Sequence, residues 1–133
     1  MNANKQRLLA WIRKADHDLG TAIIINEYIK EYSDTLAYHC QQATEKYIKC
    51  LLDYHSITFK KTHDLRYLLD LLNDVLTTDQ DLYEKGLKLN SFGVEVRYPD
   101  YEIELTTDER NEAIEIDRSF RDLLKSSIDI NID

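Results

Sequence analysis

One proline, three glycines and two cysteines in 133 residues leave this chain short of both breakers and staples. An all-β fold needs turn residues at many corners, so their scarcity argues for helices. Cys40 and Cys50 are ten residues apart within one stretch of helical periodicity. Ten residues of helix rise about 15 Å, too far for a disulfide between them. They read as small buried hydrophobes in a reducing compartment. No apolar run has the length of a membrane span, and Met1–Arg13 carries no signal-peptide apolar region. The expected location is cytoplasmic.

Catalytic signatures are missing too. The histidines are His17, His39, His55 and His63, without HExxH, CxxC or clustered metal-ligand spacing. Gly-rich phosphate loops and the GxSxG elbow are also lacking. The reading is therefore no metal, no cofactor and no assigned catalytic residue. A surplus of basic charge is absent as well: the net charge is −8. Up to Arg66 there are ten Lys/Arg against eight Asp/Glu, and from Tyr67 on seven against seventeen. An acidic chain does not coat nucleic acid nonspecifically, although the mildly basic first half can line a local anion site.

What is present is helical patterning. From about Asn4 to Tyr32, Leu8, Trp11, Ile12, Ala15, Leu19, Ala22, Ile23 and Asn26 recur at spacings of three and four. Gly20 interrupts this stretch and would let a neighbour approach. Ser33-Asp34 offers a cap for a second helix, with Leu36, Cys40, Ala43, Tyr47, Cys50, Leu51 and Tyr54 facing inward. After a connector over 55–61, Thr62 is the expected cap of a third helix buried through Leu65, Leu68, Leu69, Leu72, Val75 and Leu76. Thr77-Thr78-Asp79-Gln80 and Thr106-Thr107-Asp108-Glu109 read as capping boxes opening a fourth and a fifth helix. Between them, the pattern lapses from Phe92 to Leu105, and the tail from Ser126 reads as frayed. With no repeat or linker, residues 1–133 are expected to form one all-α domain, an up-and-down bundle of about five helices.

The second predicted helix is chemically unusual. His39, Gln42, Lys46 and Lys49 lie at offsets 0, 3, 7 and 10 and share a face, with Gln41 and Glu45 on an adjacent strip. An imidazole and an ammonium on one face suit phosphate or base contacts. Equally, the amides and Glu45 could bond to neighbouring helices while the lysines reach water. His63 stands at a helix start, where backbone N–H groups favour anions. Arg97 and Tyr98 precede Pro99, which stiffens the loop for phosphate pairing and base stacking. His39, Gln42, Lys46, His63, Arg97 and Tyr98 are the candidate ligand-binding residues. Asp16, His17 and Asp18 read as a solvated face.

Taken in order, Trp11, Ala15, Asp18-Leu19 and Ala22, then Ala37 to Lys49, then Thr62-His63-Asp64-Leu65, then Arg97-Tyr98-Pro99-Asp100 resemble the prokaryotic HEPN domain family over residues 5–125. The resemblance implies a bundle of about five helices, often a homodimer, commonly encoded beside a minimal nucleotidyltransferase in toxin–antitoxin-like pairs. In fused relatives the domain helps form the substrate or nucleotide site. Another branch comprises metal-independent ribonucleases with an Arg followed, after four to six residues, by His. Here the positions counted from Arg97 hold Glu102, Ile103 and Glu104, and no histidine follows His63. General acid–base cleavage by that route lacks its imidazole. The expectation is a noncatalytic module for a nucleotide or substrate, acting with a nucleotidyltransferase partner. The alternatives are a ribonuclease with an altered site, with RNA not favoured as a partner, and a purely structural dimerisation domain.

Overall fold

The computed structural model describes residues 4–76, 79–95, 99 and 104–133. Five helices account for most of them: α1 (Lys5–Tyr28), α2 (Ser33–Tyr54), α3 (Leu65–Asn73), α4 (Gln80–Glu95) and α5 (Thr107–Ser127). Among the described residues there is no strand. The result is an all-α helical bundle.

Helix α2 runs through the centre and packs against each of the other four. Fifteen of its 22 residues are buried, which a surface helix with one apolar stripe cannot achieve. Helix α1 lies antiparallel to it: Arg7 and Trp11 meet Asp53, the Leu8 carbonyl meets Cys50, Asp16 meets Tyr47, and Asp18 meets both Lys46 and His39. The expected inward faces hold for Leu8, Ile12, Ala15, Leu19 and Ala22 on α1, and for Ala113, Ile116, Phe120 and Leu124 on α5. Two assignments differ from the expected faces. Ile25 is buried where Ile23 was expected to be, and Val75, beyond the last turn of α3, is exposed.

Helix ends depart from the sequence reading in instructive ways. The α2 start has no side-chain cap; the Ser33 hydroxyl instead accepts from the Leu105 amide (3.1 Å), tying the α2 start to the segment before α5. Helix α3 is capped by Asp64, which accepts from the Arg66 amide, while Thr62 accepts from the Asp64 amide one step earlier. The capping box at Thr106 and Glu109 forms as expected. At α4, Asp79 accepts from the Leu82 amide, and Thr77 and Thr78 lie outside the described residues. Helix α4 continues through Glu95, so Gly93 and Val94 do not end it. The tail does not fray freely: Asp133 pairs with Arg121 and Lys125, and Ile128 is buried.

The close approach expected at Gly20 is found at Gly86 instead. A Cβ on Gly20 would meet nothing within 4 Å, so no neighbour exploits its smallness. On Gly86 it would lie 2.8 Å from Leu69 Cδ1 and 3.1 Å from Phe120 Cζ, both on fully buried side chains. Gly86 is what allows α4 to approach α3 and α5 closely. Gly20→Ala should therefore stabilise the protein by up to about 1 kcal/mol through helix propensity. Gly86→Ala should destabilise it by about 1 kcal/mol net, overpacking outweighing that gain. Urea unfolding of both variants checks the opposite signs.

Candidate functional site

The polar residues of α2 are organised by three carboxylates, from α1, α2 and α5. The first is Asp18. It falls three residues after Ala15 and four before Ala22, inside the apolar stripe of α1, and is accordingly buried. Its Oδ1 meets His39 Nδ1 at 2.8 Å and its Oδ2 accepts from Lys46 Nζ. Burial alone would raise this carboxyl, but hydrogen bonds from His39 and Lys46, with the Lys46 charge, outweigh it and hold it below the ordinary carboxylate range. His39 and Lys46 are thus fixed together on one anchor, each partly open to solvent. Tyr38 meets the His39 ring edge-on at 5.6 Å.

The second carboxylate, Glu45, is 2% exposed and gathers three groups. His63 Nδ1 lies 2.9 Å from Oε1, Gln41 Nε2 donates to the same oxygen, and Lys49 Nζ donates to Oε2 at 3.0 Å. Lys49 also donates to the Thr62 carbonyl, and Gln41 to the His63 carbonyl, so the α2–α3 connector is stitched to α2. Gln42 donates to Gln41 (2.6 Å). Lys49 does not reach water: it is buried, and its ammonium lies 5.7 Å from the Trp11 ring centre and 5.9 Å from that of Phe59.

The predicted residues therefore divide. The structure brings His39 and Lys46 together through Asp18, while Gln42 and His63 belong to the Glu45 network beside it. Arg97 and Tyr98 lie outside the described residues. Asp18 is a correction to the solvated face expected for residues 16–18. Asp16 also has partners, accepting from the Tyr47 hydroxyl (2.6 Å) and from Arg121, and of the three only His17 is exposed.

The third carboxylate, Asp117, escaped the sequence reading altogether. It sits four residues after Ala113 and three before Phe120, within the buried stripe of α5, and is 0% exposed. Thr44 Oγ1 donates to its Oδ1 at 2.8 Å; Oδ2 has no partner among the described residues. Burial pushes its carboxyl well above the usual range, more than the Thr44 and Cys40 contacts lower it, and the nearby Asp18 charge adds to the rise. Burial beside Asp117 likewise pushes the Cys40 thiol well up, and burial takes Cys50 up to about 12. Neither cysteine is a thiolate nucleophile at neutral pH. Among the described residues, no group of three or more His, Cys, Asp or Glu could hold a metal ion, and no helix is long and apolar enough to cross a membrane.

A five-helix bundle that buries a polar central helix and gathers its charges on carboxylates defines the class of protein. Residues 8–127 match the family model described as HEPN domain, and the chain belongs to that family. Two solved structures share the fold. The crystal structure of ST0689, an archaeal HEPN homologue, aligns with a TM-score of 0.70 at 23% identity, covering 90% of this chain and 95% of that one. TT1696 from Thermus thermophilus aligns with a TM-score of 0.78 at 22% identity, covering 92% and 98%. No curated protein matches the chain.

Asp117 generates a pH prediction. Its folded pKa is raised above the unfolded value of about 3.9, so the unfolded state holds fewer protons. Stability is consequently lost as pH rises from the unfolded value towards the folded one, by up to about 1.4 kcal/mol per pH unit. Asp117→Asn keeps the acceptor for Thr44 and removes this slope. In urea unfolding, the stability of the variant relative to wild type should be greater at pH 8 than at pH 5.

Proposed function

We propose that this chain is a noncatalytic module that binds a nucleotide or related phosphate-bearing substrate at the His39–Lys46 cluster, as a homodimer working beside a nucleotidyltransferase. The observation that carries the reading is the shared anchor. Asp18 holds an imidazole and an ammonium, both partly solvent-exposed, in fixed positions on one helix face. Donors ordered in advance lose less freedom when a phosphate arrives, and a phosphate supplies acceptors for both. Family membership, with the absence of the Arg-x4-6-His arrangement, supports binding over cleavage. The nucleotidyltransferase partner rests on the family resemblance.

One observation favours a second reading, an altered-site ribonuclease. His39 Nδ1 faces Asp18 and its Nε2 has no partner among the described residues, the arrangement by which a carboxylate orients an imidazole for proton transfer. Calorimetry of the purified protein with a panel of nucleotides, with and without the partner, tests the binding reading. Lys46→Gln should weaken the interaction about tenfold or more, the scale of one lost charge-assisted bond. No heat for any nucleotide removes the proposal. Metal-independent cleavage of total RNA that His39→Ala abolishes replaces it with the ribonuclease.

The homodimer has its own support. Ile24, Tyr28, Ile29 and Tyr32 form an exposed apolar patch at the C-terminal end of α1, with Tyr28 73% exposed. Among the described residues, Glu27, Lys30 and Glu31 around it have no ion-pair partner, so two copies could pair opposite charges across a twofold axis. Tyr28→Glu should shift the protein from dimer to monomer in sedimentation velocity, with the helical circular dichroism unchanged. A monomeric wild type at the same concentration contradicts the dimer.

A further inference from the structure

The polar band of α2 does not exhaust the charged surface. At the opposite end of α1 from the patch just described, Arg7, Ala10, Trp11 and Lys14 line one cleft. Arg7 also lines the adjoining one, with Asp53 and the start of the α2–α3 connector from Ser56 to Phe59. Residues 7, 10, 11 and 14 fall on one face of α1 by helical spacing. Neither cleft includes His39, Gln42 or Lys46.

The Arg7 guanidinium is both held and available. Its Nε donates to Asp53 Oδ2 at 2.6 Å, which fixes the plane of the group. Among the described residues its two terminal nitrogens have no partner, and the side chain is 61% exposed. A guanidinium tethered at Nε presents its remaining donors as a fork suited to two oxygens of one anion. The same Asp53 oxygen accepts from Trp11 Nε1 (2.6 Å), so the indole is locked into the same assembly. Lys49 lies behind the indole. Lys14, two helical turns beyond Arg7, is exposed and has no partner among the described residues. Seven residues of helix separate the two cations by about 10 Å along the axis. Between them lies the partly buried aromatic surface of Trp11.

We propose that the Arg7–Trp11–Lys14 cleft is a second binding site, separate from the His39–Lys46 cluster, for a phosphate-bearing ligand. Its phosphate chain lies between the Arg7 fork and the Lys14 ammonium, and any planar ring rests on the indole. The site stands or falls independently of the function proposed above.

Trp11 is the only tryptophan of the chain, so intrinsic fluorescence reports on this cleft. The full chain is titrated with inorganic tripolyphosphate and, separately, with ATP. A saturable change in emission is expected with both, weakened about tenfold by Arg7→Gln and by Lys14→Gln, the loss of one charged contact each. The Lys14 variant carries the test if loss of the Asp53 partner destabilises the Arg7 variant. Equal affinity for the two probes supports recognition of the phosphate chain alone, and tighter ATP binding supports a stacked base. No saturable change, or one that both variants leave intact, overturns the site. A signal lost in Lys46→Gln but kept in the Arg7 and Lys14 variants assigns the ligand to the other cluster and overturns it equally.

Discussion

A helix that crosses the middle of a bundle while carrying Gln41, Gln42, Thr44, Glu45 and Lys49 into the buried interior imposes one requirement on everything around it. Each of those groups needs a partner, because an unpaired polar atom away from water costs a large share of the marginal stability of a small domain. The partners are specific. Glu45 meets Lys49 one turn away and His63 from the connector, Thr44 meets Asp117 of α5, and on the flank of the same helix Lys46 meets Asp18 of α1. Sliding α1 along α2 by one turn would break the Asp18 contacts with Lys46 and His39, the Tyr47–Asp16 bond and the Trp11–Asp53 bond at once. The charges therefore select the register of the hairpin, while the apolar stripes of Leu8, Ile12, Leu36, Tyr47 and Leu51 supply most of the driving force.

Asp117 shows the cost of such a scheme where it is incomplete. Thr44 satisfies one oxygen, and the other has no hydrogen-bond partner among the described residues. Burial then moves the carboxyl towards its neutral form, since an uncompensated charge in the interior is harder to accommodate than a proton. Asp18 is the contrasting case: it is also buried, but two nitrogen donors keep it ionised. Two carboxylates near one another on neighbouring helices thus take opposite shifts because one has cations and the other has a hydroxyl.

Much of the architecture was legible in the order of residues. Five helices, the inward faces of α2 and α5, and the Thr106 capping box all follow from spacing and cap chemistry that act within a few residues. The errors were local competitions resolved from outside. Ser33 has the chemistry of a cap, yet its hydroxyl serves Leu105 of a distant segment. Gly93 and Val94 look like breakers, yet α4 runs past them. The site was legible in part. The polar band on α2 was visible as a periodicity, and His39 with Lys46 does share a face. Asp18 was read as solvated and Asp117 was overlooked, although each interrupts an apolar stripe at a position that must turn inward.

By itself, the sequence determined that the chain is helical, where its helices begin to within a few residues, and which faces seek the interior. These depend on propensity and on a 3.6-residue repeat, both written into neighbouring positions. Only the tertiary structure decided which groups of α1 the polar residues of α2 would meet. Pairing between Asp18 and Lys46, or between Trp11 and Asp53, joins residues 28 and 42 positions apart. No local pattern encodes such a choice, because it depends on the axial offset at which two helices pack.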